Sequence, residues 1–286
     1  MPGMTTPTTI EGSLDAKNIA MRVVKGGIEM TDLMPLCQTV QVPELTATIP
    51  VYSIPAGNED LGPLEESDIE GSEFTDVDFS LKKDRVKVAV TDESRYKSRA
   101  GDPLSLQISG ASDRLAQLAM KKIVSAANTD PQTSAGADWG GDNNPLADIA
   151  TAVSAIRPFR ATGIAMGTVA FGNYVANSSI SNFGAGNISA FENATAVVPG
   201  YNIPIYVSEE IDDNISDEAA VVVAQNAPGL VMGMGPVKAR RKDLMSGGEV
   251  YQIDVWRQVK GNIHKTDSGT NKACYVLTGL NTAVKS

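Results

Sequence analysis

The sequence predicts an α+β protein organised around one dominant long helix. Three observations carry that reading: an amphipathic run that opens at Asp102-Pro103, a series of short β-branched segments, and Gly, Pro and Asn punctuation between them. The chain has 286 residues, of which 42% are apolar and 20% charged, enough to bury a core as one large domain or two smaller ones. Aromatic residues supply only 5%, so Val, Ile, Leu, Ala and Met must fill that core.

Residues 1–40 are rich in Thr, Pro, Gly and Met and read as an extended arm, with a short helix near Leu14–Val24. From Glu44 to Ile54, β-branched residues around Pro50 suit an edge strand, because proline cannot donate to a central ladder. An acidic, Gly/Pro-punctuated stretch follows, too charged to be core. Phe74, Val77, Phe79 and Leu81, then Val86, Val88 and Val90, alternate as strands do, so 44–90 reads as a long hairpin with a solvated acidic tip.

Pro103 is preorganised for a first helical turn, and Asp102 can cap its free N–H groups. Apolar positions recur at Leu104, Ile108, Ala111, Leu115, Leu118/Ala119, Lys122/Ile123 and Ala126, near a 3.6 period with one breach. The helix should run about 24 residues, or about 36 Å. A second helix is expected over Leu146–Ile156. Beyond it, 163–167 reads as a strand, Val169–Ala176 as a helix and 177–193 as a small-residue loop. Tyr201–Val207, Ala219–Ala224, Val237–Arg241, Glu249–Ile263 and Ala273–Leu277 read as strands.

The formal net charge of −10 is unevenly spread. Nine acids and no base lie between Glu59 and Asp78, whereas Lys82–Lys122 holds ten bases and five acids. The chain is therefore a charge dipole. It lacks the concentrated basic patch that tight wrapping of nucleic acid requires.

Catalytic and metal chemistry find little support. The one histidine, His264, sits in a strand-like run, and no G-x-S-x-G or phosphate-binding lysine loop occurs. Gly229, Gly233 and Gly235 imitate a phosphate loop, but Pro236 spoils it, so a turn between strands is expected. Cys37 and Cys274 read as buried small hydrophobes, not as a disulfide or metal framework. The acidic run lacks the regular spacing of a calcium loop. Lys238, Arg240 and Lys242, two apart, suit one solvated strand face. No cofactor, metal ligand or catalytic residue is assigned, and no enzyme is expected. No apolar run approaches the roughly 20 residues of a membrane helix, and no secretory signal is visible.

The stretch FSLKKDRVKVAVTDES (79–94), running into DPLSLQISGASDRLAQLAMKKIVSAANT (102–129), resembles the major capsid proteins of tailed viruses, the Hong Kong 97-type fold. NPLADIATAVSAIRP followed by GIAMGTVAFGNYVAN, then PGYNIPIYVSEEI, VKARRKD with VYQIDVWRQVKGNIHKT, and KACYVLTG are similar to the later elements of that family.

The resemblance implies an N-terminal arm (1–40) and an extended loop (41–88). It implies a peripheral domain (89–160 and 236–270) with a spine helix at 102–128, and an axial domain (161–235 and 271–286). It implies a subunit that self-assembles into pentamers and hexamers of an icosahedral shell around double-stranded DNA. A separate scaffolding protein, a portal and a decoration protein are the expected partners, in a virion assembled in the host cytoplasm. The alternatives are an encapsulin-type nanocompartment, which shares the fold, then an α+β enzyme or a fibre subunit.

A long charged hairpin is not stable alone; laid across a neighbour it becomes a clamp. Glu65, Glu66, Asp68 and Glu70 at its tip are the proposed contacts. Arg95, Lys97 and Arg99, with Arg114, Lys121 and Lys122 on the helix, are their expected partners.

Overall fold

A computed structural model of the chain describes residues 16–52, 74–91, 103–129, 131–136, 138–140, 143–157, 159–180, 196–215, 219–224, 229–243, 247–263 and 273–280. Two sheets and a two-stranded hairpin are arranged around one helix of 25 residues.

Helix α1 (Ala16–Glu29) leads through a 3-10 turn (Met34–Leu36) to strand β1 (Gln38–Gln41). Ile19, Ala20 and Val23 fall on one face of α1, as a 3.6 period dictates, and are buried. Helix α1 covers the short helix expected near Leu14–Val24 and runs on to Glu29, while β1, where an extended arm was expected, pairs in parallel with Val231–Met234. The reason for α1 is local: Ile19, Ala20 and Val23 at helical spacing outweigh Gly26 and Gly27.

Strands β2 (Thr46–Tyr52) and β3 (Phe74–Ser80) form the expected antiparallel hairpin, in continuous register from Thr46↔Ser80 to Tyr52↔Phe74. Its connecting residues, including Glu65, Glu66, Asp68 and Glu70, lie outside the described residues. Strand β4 (Lys82–Val90) does not extend this hairpin. It pairs instead with β11 (Glu249–Gly261), so the excursion closes near Leu81 and not at residue 88 or 90.

The first sheet has the order β1-β10-β11-β4, where β10 spans Leu230–Asp243. The Gly-rich segment expected as a turn is strand. Its register shifts between Met234 and Val237, a bulge that holds Gly235 and Pro236. An added Cβ on Gly233 would lie 3.0 Å from Phe79, and one on Gly235 2.5 Å from Leu81. Glycine is there so that the root of the hairpin can sit on the strand.

Helix α2 (Pro103–Ala127) is the expected spine. Its N-terminal half, through Leu104, Ile108, Ala111 and Leu115, packs with α1 on Val86, Val88, Val90, Tyr251, Ile253 and Val255 of the first sheet. Its C-terminal half, through Ile123, Val124, Ala126 and Ala127, packs on a second sheet.

That second sheet has six strands in the order β5-β12-β9-β6-β8-β7. They are β5 (Gln132–Ala135), β6 (Ala161–Met166), β7 (Ala196–Val198), β8 (Ile203–Val207), β9 (Ala220–Ala224) and β12 (Cys274–Thr278). Alternate residues of β9 face opposite cores. Val221 and Val223 meet α2, while Ala220, Val222 and Ala224 meet α3 (Pro145–Ala155) and α4 (Thr168–Ala176). A strand buried on both faces explains why AVVVA is apolar without alternation.

Sheet membership divides the chain differently from the expected domain limits. Residues 132–155 were expected in the peripheral domain with the spine helix; β5 pairs with β12 and α3 packs on the six-stranded sheet. The expected limit at 235/236 falls inside β10, which pairs with β11 on both sides of the bulge.

Candidate assembly surfaces

Helix α2 is fixed to the first sheet by a cluster of charged side chains. Lys122 Nζ donates to Asp84 Oδ1 at 2.7 Å and to the Arg257 carbonyl at 3.2 Å. Arg257 Nε donates to Asp84 Oδ2 at 2.5 Å, and its Nη2 to the Leu115 carbonyl at 2.6 Å. Asp84 and Arg257 are buried, so one carboxylate with two cations ties α2, β4 and β11 together. Burial pulls both Arg257 and Lys122 below their usual range, and the bonds to Asp84 oppose it. An ion cluster this dry stabilises little by itself, but it is costly to break and so fixes register.

On the opposite face of the same sheet the register builds a basic stripe. Asp254 of β11 stands between Lys238 of β10 and Arg85 of β4, and Gln252 between Arg240 and Lys87. Lys83 and Lys238 approach the Trp256 ring at 6.0 and 5.4 Å from its centroid. Lys242 continues the row on β10. All six cations are exposed, and Asp254 is the carboxylate among them. Arg85 grips it with two hydrogen bonds, at 2.6 and 3.2 Å, which hold its carboxyl below the usual range. The period-2 reading of Lys238, Arg240 and Lys242 thus identifies one edge of a wider basic surface that β4 completes.

The expected contact residues divide three ways. Arg114 and Lys121 are exposed on α2, and Arg114 donates to Gln117 of the same helix at 3.0 Å. Lys122, expected as a contact, points inward to Asp84, so its charge is paired within the subunit. Arg95, Lys97 and Arg99, like the four tip acids, lie outside the described residues, as does His264. Sequence reasoning passed over Lys83, Arg85 and Lys87 as partners. Their alternation with Asp84, Val86 and Val88 was the available signal.

Other weak chemical signals resolve into packing. Cys37 and Cys274 are buried free thiols, and burial pushes both up to about 12, which removes thiolate reactivity at neutral pH. Asn177, first residue of an Asn-x-Ser triplet, is buried. It donates to the carbonyls of Trp139 and Asn143 at 2.9 and 2.8 Å. Among the described residues, no three His, Cys, Asp or Glu side chains are grouped to hold a metal ion. No described helix is long and apolar enough to cross a membrane.

This arrangement recurs in solved structures. A virus-like particle from Pyrococcus furiosus superposes with a TM-score of 0.63 at 10% identity, over 91% of this chain and 98% of that one. The capsid structure of cyanophage P-SCSP1u gives 0.56 at 11% identity, over 86% and 87%. The holo-SrpI encapsulin complex from Synechococcus elongatus gives 0.59 at 10% identity, over 89% of each chain. No family model and no curated protein sequence matches the chain. The α+β architecture is the Hong Kong 97-type capsid fold.

Proposed function

We propose that this chain is the major capsid protein of a tailed virus. It works by assembling with copies of itself into pentamers and hexamers of a closed icosahedral shell around double-stranded DNA. The observation that carries the reading is the match of fold, over 86–91% of the chain, to a virus-like particle and a phage capsid. Sequence identity near 10% leaves function to be argued from surfaces, and the surfaces agree. The chain pairs a strongly acidic excursion with a broad basic sheet face, as an intersubunit clamp needs. Its action is assembly and not catalysis. A separate scaffolding protein, a portal and a decoration protein complete the proposed partners, with assembly in the host cytoplasm and final residence in the virion.

A second reading is an encapsulin-type nanocompartment, favoured by the match to the encapsulin complex. Negative-stain imaging of the purified protein, alone and co-expressed with its neighbouring genes, tests both. Rings or closed shells are expected, and shells holding DNA support the viral reading. Shells filled with a co-encoded protein and devoid of DNA favour the nanocompartment. A strictly monomeric species at high concentration in every condition overturns both.

A further inference from the structure

Strand β4 ends the first sheet. Strand β11 covers one of its edges, and among the described residues no strand pairs with the other. Nine residues of open edge present backbone N–H and C=O groups, a template on which another strand can form. The two faces of β4 differ. Lys83, Arg85 and Lys87 are exposed on one, and Asp84, Val86, Val88 and Val90 are buried on the other.

Strand β3 has the complementary pattern. Among the described residues it pairs with β2 alone, so its second edge is open too. Asp76 and Asp78 are exposed on one face, while Val77 is half-buried and Phe79 buried on the other. Thr48 donates to Asp78 at 2.6 Å, but neither strand of this hairpin contains a Lys or Arg. Set beside β4, β3 would place its acids next to the bases on one face. On the other, Val77 would continue the apolar row of Val86 and Val88. Opposite charges and apolar side chains paired across strands are what stabilise a sheet.

One copy cannot make this pairing with itself. Leu81 alone separates β3 from β4. An antiparallel partner needs a turn of about two residues, and a parallel one a crossover of about a dozen. We propose that β3 of one copy adds to the open edge of β4 in the next, joining the hairpin and the four-stranded sheet into one continuous sheet across the interface. The contact rests on the shell reading above and specifies how its copies meet. Main-chain bonds supply the affinity, and the alternating side chains fix the register. Donor strand and acceptor edge are different surfaces of every copy. The contact is therefore heterologous and closes into a ring when its rotation closes. The hairpin, marginal as two strands, gains a third.

Disulfide trapping tests the pairing. The native thiols, Cys37 and Cys274, are buried and do not compete. D76C or D78C is combined in one chain with K83C, R85C or K87C, and the assembled protein is treated with a mild oxidant. At least one combination should give a ladder of covalent multimers on a denaturing gel, and each single variant should not. Charge reversal gives a second readout, the protein concentration at which light scattering reports assembly. D76K/D78K and K83E/K87E should each raise it about tenfold or more, because like charges then meet across the interface. The chain with all four changes should return to within about threefold of wild type. Circular-dichroism melting checks folding, and D76N/D78N replaces a reversed variant that melts early, with a smaller rise expected. Shells that assemble while no combination gives a ladder overturn this pairing and leave the shell reading standing, as does a folded four-fold swap that stays defective. A wild type that never assembles overturns both.

Discussion

Asp84, Arg257 and Lys122 each occupy the next inward position of an apolar row. Val86, Val88 and Val90 face α2 from β4, and Asp84 continues them. Tyr251, Ile253 and Val255 do so from β11, and Arg257 continues them. On α2, Lys122 lies beside the row Leu115, Ala119, Ile123, two turns past Leu115. A charge on an apolar row was visible in the sequence as a breach at Lys122. A single sequence cannot say that three such breaches meet, so the lysine reads as surface. Asp84→Ala leaves a buried guanidinium and an ammonium without their carboxylate. It should lower stability by about 3–5 kcal/mol. Replacing the cluster together, D84L/R257M/K122M, should restore most of that loss, because well-packed apolar groups carry no desolvation cost. Urea unfolding of dispersed subunits, followed by tryptophan fluorescence, measures both.

Among the elements, those with a strong local period were legible. Pro103 and the 3.6-residue spacing from Leu104 to Ala126 define α2, and AVVVA, without a period, defines β9 as a short, wholly apolar β-branched run. Elements held by partners distant in sequence were not. QTSA forms β5 only because β12 supplies its backbone partners, from Tyr275↔Gln132 to Thr278↔Ala135. The glycines of β10 suggested a turn because sequence punctuation does not distinguish positive φ from close approach, and close approach is their use here. Gly261 shows the same at the far end of β11, where an added Cβ would lie 2.1 Å from the Ala126 carbonyl of α2. Backbone cannot yield as a side chain does. Gly261→Ala should therefore displace the helix end and cost about 1–3 kcal/mol. A lowered melting temperature checks it, and a melting temperature equal to wild type refutes the fit.

Over the whole molecule, charge is segregated while the fold is tied together by α2. The basic sheet face on one side of the layer, and Arg114 and Lys121 on α2 on the other, are two candidate seats for the acidic residues of a neighbour. Single exposed pairs contribute about 0.2–1 kcal/mol, so one substitution should be nearly silent. E65Q/E66Q/D68N/E70Q together should weaken assembly while the subunit keeps its melting temperature. Salt near 1 M should mimic the four changes in the wild type, since the Debye length falls there to about 3 Å. Light scattering across a salt series compares them, and equal assembly at every salt removes the clamp.

The strand order has a consequence in time. β12 lies between β5 and β9 inside the six-stranded sheet, and β10 and β11 separate β1 from β4 in the other. Both sheets therefore remain open, with unpaired edges, until residues beyond 229 have left the ribosome. Parallel pairings such as Gln38↔Val231 and Gln132↔Tyr275 close long loops and form slowly. Until then a nascent chain holds only the β2–β3 hairpin complete, so translation itself delays association until nearly every surface of the subunit can form.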